Sequence, residues 1–121
     1  MTSYEALRRR LPDDRPAISH TVKIDGWEFN IRVGLFEDGT MGELFIDVAK
    51  EGSTVSGLVD AWVQNFSIAL QSGVPLAKLV EKGRDVRFEP MGRTDNKEIP
   101  VVNSIRDYVS RWLEVKFLRS G

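Results

Sequence analysis

The chain has 121 residues, 41% of them hydrophobic and 29% charged, which describes one globular domain and leaves little room for a second. Seventeen basic residues against eighteen acidic leave a net charge of −1, so bulk electrostatics argues for neither nucleic acid nor a membrane surface as partner. The absence of cysteine excludes disulfides, thiolate nucleophiles and cysteine-held metals, and a single histidine excludes a histidine-rich metal site.

The opening MTSYEALRRRLPDD has no apolar leader core, and no apolar run approaches the roughly 20 residues a bilayer span needs. A cytoplasmic protein is expected. Ser3 to Arg10 can form a short helix with Tyr4, Leu7 and Leu11 on one side. Its Arg8-Arg9-Arg10 run is either an exposed helix end or an anion contact. Pro12-Asp13-Asp14-Arg15-Pro16 breaks the helix, because proline removes a donor and restricts the residue before it. Residues 1–17 therefore read as an arm, and residues 18–121 as the domain.

From Ile18 the apolar period is two: Ile18, His20, Val22 and Ile24 alternate with Ser19, Thr21 and Lys23. Asp25-Gly26 is a strong turn dipeptide, and the strand beyond it places Trp27, Phe29, Ile31, Val33 and Leu35 on one face. After a second turn at Glu37-Asp38-Gly39-Thr40, Leu44 to Ala49 reads as a buried strand. Three strands with tight turns make an antiparallel meander whose apolar face must be covered.

The cover is a long amphipathic helix from Thr54 to Ser72, with Val55, Leu58, Val59, Trp62, Phe66, Ala69 and Leu70 at helical spacing. Ser53 or Thr54 caps its start and Gly73 its end. Pro75 opens a short helix that ends at Gly83, with Leu76, Leu79 and Val80 on one side. Arg84 to Pro90 reads as irregular or a short edge strand, and Met91 to Lys97 as a surface loop. A last helix is expected to start at Pro100, with Val102, Ile105, Val109, Trp112 and Leu113 on one face and a tail from Val115 to Leu118. The fold class is α+β: a meander of three or more strands, covered on one face by the long helix and the C-terminal helix.

The chemistry is sparse. His20, on the apolar-alternating face of a strand, reads as a packed core or interface residue. No pair of carboxylates is held at a separation set by a motif, and the Gly-x-Ser-x-Gly nucleophile pattern is absent. Several backbone N–H groups converge only at the Gly52-Ser53-Thr54 helix start, with Lys50 nearby and Glu51 as a competing charge. Glu37 to Asp60 holds six acids and one base, whereas Leu76 to Lys97 holds six bases and four acids. Either the two patches meet between copies or they are solvated surface. Free strand edges add to the case for a homo-oligomer, most simply a dimer.

Seven blocks carry a resemblance: Arg10 to Pro16, Val33 to Thr40, Gly42 to Ile46, Ala49 to Leu58, Leu70 to Leu76, Arg87 to Pro90 and Ser104 to Leu113. Their order and spacing resemble the TSCPD domain near the C-terminus of class II, vitamin B12-dependent ribonucleotide reductases, over about Leu7 to Leu118. In that family the nucleotide, cobalamin and effector sites belong to a separate α/β barrel, and the radical chemistry uses cysteines. The resemblance therefore implies a free-standing accessory domain with no catalytic residue and no resident cofactor or metal.

Three readings follow from this. One is a non-catalytic binding or regulatory module that associates with a reductase subunit or with itself. A second is a binder or sequesterer of a nucleotide or nucleotide-derived signal, a role suited to a phage-encoded protein. It would be held by Lys50, Gly52, Ser53 and Thr54 with Arg84, Arg87 and Arg93. The third, a small hydrolase, has the poorest inventory of nucleophile and base.

Overall fold

Three strands joined by two tight turns build the main sheet, in the order β1 (Ala17–Ile24), β2 (Trp27–Leu35), β3 (Met41–Val48), all antiparallel. The computed structural model describes residues 8–49 and 52–119. At the first turn Asp25 and Gly26 both take positive φ (48° and 82°), the conformation whose twist matches a two-residue hairpin. Register follows from the alternation: His20 pairs with Ile31, Val22 with Phe29, and Ile31 in turn with Ile46. A one-residue slip would turn this whole apolar set to solvent.

The expected buried strand over 44–49 is corrected in two respects. β3 begins at Met41, and its second half alternates, with Leu44, Ile46 and Val48 inside while Phe45 and Asp47 face out. Apart from Phe45, the outer sheet face is polar: Ser19, Thr21, Lys23, Glu28 and Arg32 are all exposed on it. This one-sided pattern is what an antiparallel sheet with one packed face requires.

Helix α1 (Thr54–Gln71) covers the inner face, packing mainly on β3. Ser53 caps it, its Oγ accepting from Ser56 N at 3.1 Å, and Gly73 follows it at φ 100°. The buried stripe runs through Val59, Val63 and Phe66. Val63 had been missed, and Leu58, expected inside, is 64% exposed. Residues 59, 63 and 66 share a face, whereas Leu58 lies one residue, about 100°, off it.

Helix α2 (Leu76–Gly83) starts behind Pro75 and ends at Gly83, as expected. Residues 84–90 are irregular, but the loop predicted over 91–97 contains β4 (Gly92–Arg93), paired with β5 (Val101–Val102), and Thr94 bridges to Ile24. The helix predicted from Pro100 is corrected too. Val101 and Val102 are strand, and α3 spans Ile105–Leu113 behind a Ser104 cap that accepts from Asp107 N at 2.9 Å. A π-helical turn, Glu114–Leu118, continues it.

Ile105, Tyr108, Val109, Trp112 and Leu113 of α3 complete the core with Val22, Ile24, Phe29 and Ile31. Each such side chain contributes about 1.5–3 kcal/mol by leaving water.

The predicted N-terminal helix lies largely outside the described residues, and residues 8–10 are not helical. What is seen of the arm lies against the fold. Arg9 N donates to Gln71 O, Arg8 Nε to Gln71 Oε1, and Arg15 Nε to Glu43 Oε1 at 2.7 Å. Leu35 N also donates to Pro16 O, so the arm leads straight into the β1–β2 ladder.

Candidate functional site

The cleft with the most organised chemistry opens beside β1. It has a volume of about 460 Å³ and is lined by His20 and Thr21 of the strand, the 95–99 loop, and Trp112, Val115 and Lys116. Thr94 shapes that loop: its Oγ1 accepts from Asn96 N at 3.0 Å and donates to Ile99 O. Asn96 is then fixed at both ends of its amide. Oδ1 accepts from Glu98 N at 3.0 Å, and Nδ2 donates to Tyr108 Oη at 2.8 Å.

That second bond settles the next one. Tyr108 Oη already accepts from Asn96, and it lies 2.7 Å from His20 Nε2. Its own proton has no other acceptor among the described residues and so goes to His20, which makes Nε2 the acceptor and leaves the neutral imidazole's proton on Nδ1. Among the described residues Nδ1 has no hydrogen-bond partner, and the ring that carries it lines the cleft.

The ring is held by stacking on Trp112, centroids 4.9 Å apart and planes within 11°. Burial lowers the pKa of His20, Lys116 adds to the effect, and Asp95 opposes it. The hydrogen bonds point the same way, because a protonated Nε2 would leave the buried Tyr108 hydroxyl hydrogen without an acceptor. Burial likewise raises the Tyr108 pKa. The cleft thus presents a neutral histidine and a neutral phenol, with cations at Lys97 and Lys116 and acids at Asp95 and Glu98.

The sequence reads His20 as a packed core or interface residue, and the structure packs it, half-buried, on Trp112 and Tyr108. Asn96, Tyr108 and Lys116 carried no signal, because their roles arise only when α3 and the 95–99 loop meet β1.

The residues expected to hold a phosphate are spread out. Lys50 lies outside the described residues. Gly52 takes φ 77° and Ser53 Oγ is occupied as the helix cap, while Thr54 is exposed. The cleft beside this turn contains Asp47 and Asp60, whose charges oppose an anion. Arg84 donates to Glu114 Oε2 at 3.2 Å, and Arg87 and Arg93 are exposed. None of the clefts described holds both the turn and these arginines.

A richer basic surface lies at the arm. Arg8, Arg9, Arg10 and Arg15 line one cleft of about 530 Å³ with Asp13, Glu43 and Gln71. Arg9 also lies 3.7 Å over the Phe36 ring. Among the described residues no group of three or more histidines, aspartates or glutamates is placed to hold a metal ion. No helix among them is long and apolar enough to cross a membrane.

Comparison with known proteins gives one consistent result. The family model of the TSCPD domain matches residues 3–117. The vitamin B12-dependent ribonucleotide reductase of Rhodopirellula baltica is 48% identical over 115 residues, covering 95% of this chain and 11% of the reductase. The corresponding reductase of Streptomyces avermitilis is 38% identical, covering 98% of this chain and 12% of its own length. That of Bradyrhizobium diazoefficiens is 36% identical, covering 92% and 9%. The chain spans about a tenth of the length of these relatives. No solved structure matches it.

Proposed function

This chain belongs to the TSCPD domain family, and we propose that it works as a non-catalytic, cytoplasmic binding module of vitamin B12-dependent ribonucleotide reduction, docking on the part of the reductase it does not contain. The observation that carries this reading is the lopsided coverage: nearly all of this chain aligns with about a tenth of each reductase. It corresponds to one segment of those proteins. Having no cysteine, the chain supplies no thiol chemistry of its own. Its most organised cleft offers fixed donors and an aromatic floor, which suit recognition better than bond making.

A second reading, a module that holds a nucleotide, is favoured by the four arginines of the arm cleft, since guanidinium groups match phosphate geometry. The Lys50, Gly52, Ser53 and Thr54 turn with Arg84, Arg87 and Arg93 is its other candidate. A thermal-shift series separates the two readings, because whatever binds only the folded state raises its stability. The docking reading expects a rise with a reductase lacking the matching segment and none with ribonucleotides or deoxyribonucleotides. The reverse result overturns it.

A further inference from the structure

We propose that the free edge of β1 and the His20 cleft beside it form one docking site for an extended peptide segment carrying a carboxylate side chain. This rests on the docking reading above and names the chemistry its partner must have.

The sheet has two edges, and on β3 the first half is closed. Ser67 Oγ accepts from Leu44 N and donates to Leu44 O, and Gln71 Nε2 donates to Gly42 O at 2.9 Å, so α1 side chains occupy the outward groups of Gly42 and Leu44, while Asp47 and Asp60 flank the second half. Among the described residues the other edge is closed only at its far end. Lys23 N donates to Asp95 Oδ1 at 2.9 Å, and Asp95 N donates to Lys23 O at 3.2 Å. Lys23 thus turns its backbone outward, and the strand period of two puts the N–H and C=O of Thr21, Ser19 and Ala17 on the same open edge.

Natural sheets defend such edges with charges, proline or bulges. The stretch Ala17-Ile18-Ser19-His20-Thr21 carries no charged side chain. It has the form of a template for strand addition, in which backbone bonds give affinity and a neighbouring pocket gives specificity.

The pocket is in the right place. A strand laid against Ala17–Thr21 directs alternate side chains to the face that His20 occupies, over the cleft that His20 and Thr21 line. The cleft there offers the His20 imidazole, whose Nδ1 has no partner among the described residues, and the ammonium groups of Lys116 and Lys97, with the Asp95 and Glu98 carboxylates on the same lining. One oxygen of Asp95 is already committed to Lys23 N. Aspartate or glutamate on the incoming strand satisfies the imidazole and ammonium donors. A second copy of this chain does not, because on that face its own β1 offers Ile18, His20 and Val22, none of them an acceptor for the Nδ1 proton.

The test uses a capped peptide, Thr-Val-Glu-Val-Thr, beside counterparts with Gln or Lys at the centre, titrated into the ¹⁵N-labelled chain. The Glu peptide is expected to shift the Ser19 and Thr21 amides and the His20 ring nitrogens and to bind more tightly than the Lys peptide. Lys116→Glu, at an exposed position, is expected to weaken it by about tenfold. Thr21→Pro, which removes an outward donor, is expected to weaken all three peptides. Equal binding of the Glu and Lys peptides, indifference to Lys116→Glu, shifts confined to other surfaces, or a β1 edge already paired with a second copy would each overturn the site. A reductase that binds while the peptide does not overturns this site alone, whereas a peptide that binds while the reductase does not overturns the docking reading alone.

Discussion

Ser67 Oγ lies 2.9 Å from Leu44 N and 3.2 Å from Leu44 O, so one side chain of α1 takes up both outward backbone groups of β3 at that rung. The helix that covers the sheet's face thus also closes the first half of the β3 edge. Replacing Ser67 by Ala leaves both backbone groups without their partner. Ser67→Ala should lower unfolding free energy by about 1–2 kcal/mol in denaturant titrations and speed hydrogen exchange at the Leu44 amide. An unchanged exchange rate would mean that the edge is protected by something else.

Asp107 performs a comparable service for α3. Its carboxylate, 1% exposed, accepts from Asp85 N at 2.7 Å, Arg111 Nε at 2.9 Å and Asn103 N at 2.9 Å. Asparagine has a single acceptor oxygen and turns an N–H₂ group toward one of these donors. Asp107→Asn should therefore cost about 2 kcal/mol, read from the denaturation midpoint, without changing secondary structure. A neutral effect would show that the three bonds are dispensable.

Gly83, at the end of α2, is required by space. A Cβ there would run into Ser110 Oγ, with Ser110 Cβ 3.3 Å away. Gly83→Ala should destabilise by about 1–3 kcal/mol, as overpacked sites do. Adding Ser110→Ala removes the clashing oxygen and should recover most of the loss. The double-mutant cycle measures this coupling directly, and additive effects would contradict the contact.

His20 makes stability depend on pH. Its pKa lies below the usual ~6.5 in the folded state, so the unfolded chain binds the proton more readily. The neutral form is favoured by folding, and this contribution is fully present above about pH 6.5 and declines as pH falls toward the folded value. Because the chain has one histidine, its ring resonances titrate without overlap. They should report a midpoint below 6.5, and His20→Phe should flatten the stability curve between about pH 7 and 5. A midpoint above 6.5 would reverse the hydrogen-bond assignment, placing Nε2 as donor to Tyr108.

Much of this architecture was legible in the chain. The alternation around Asp25-Gly26 specified the hairpin, and the Ser53 cap with Gly73 bounded α1, because local pattern and tertiary burial agree there. Pro100 misled for a physical reason: proline suits both a helix start and the residue before a strand, and the Ser104 cap decided between them. Leu58 and Val63 were exchanged because both lie at helical spacings, and only packing against β3 selects the buried stripe. The cleft was the least legible part. His20, Asn96, Tyr108 and Lys116 come from four separate stretches, and their hydrogen bonds exist only after the chain has folded. The phosphate residues named from sequence share no such meeting point.

The most direct measurement is sedimentation velocity of this chain mixed with a vitamin B12-dependent ribonucleotide reductase from which the matching segment has been removed. The docking account predicts a saturable faster-moving species that contains both proteins, with no ribonucleotide reduced by the chain alone. Two species that sediment independently at every ratio would contradict it.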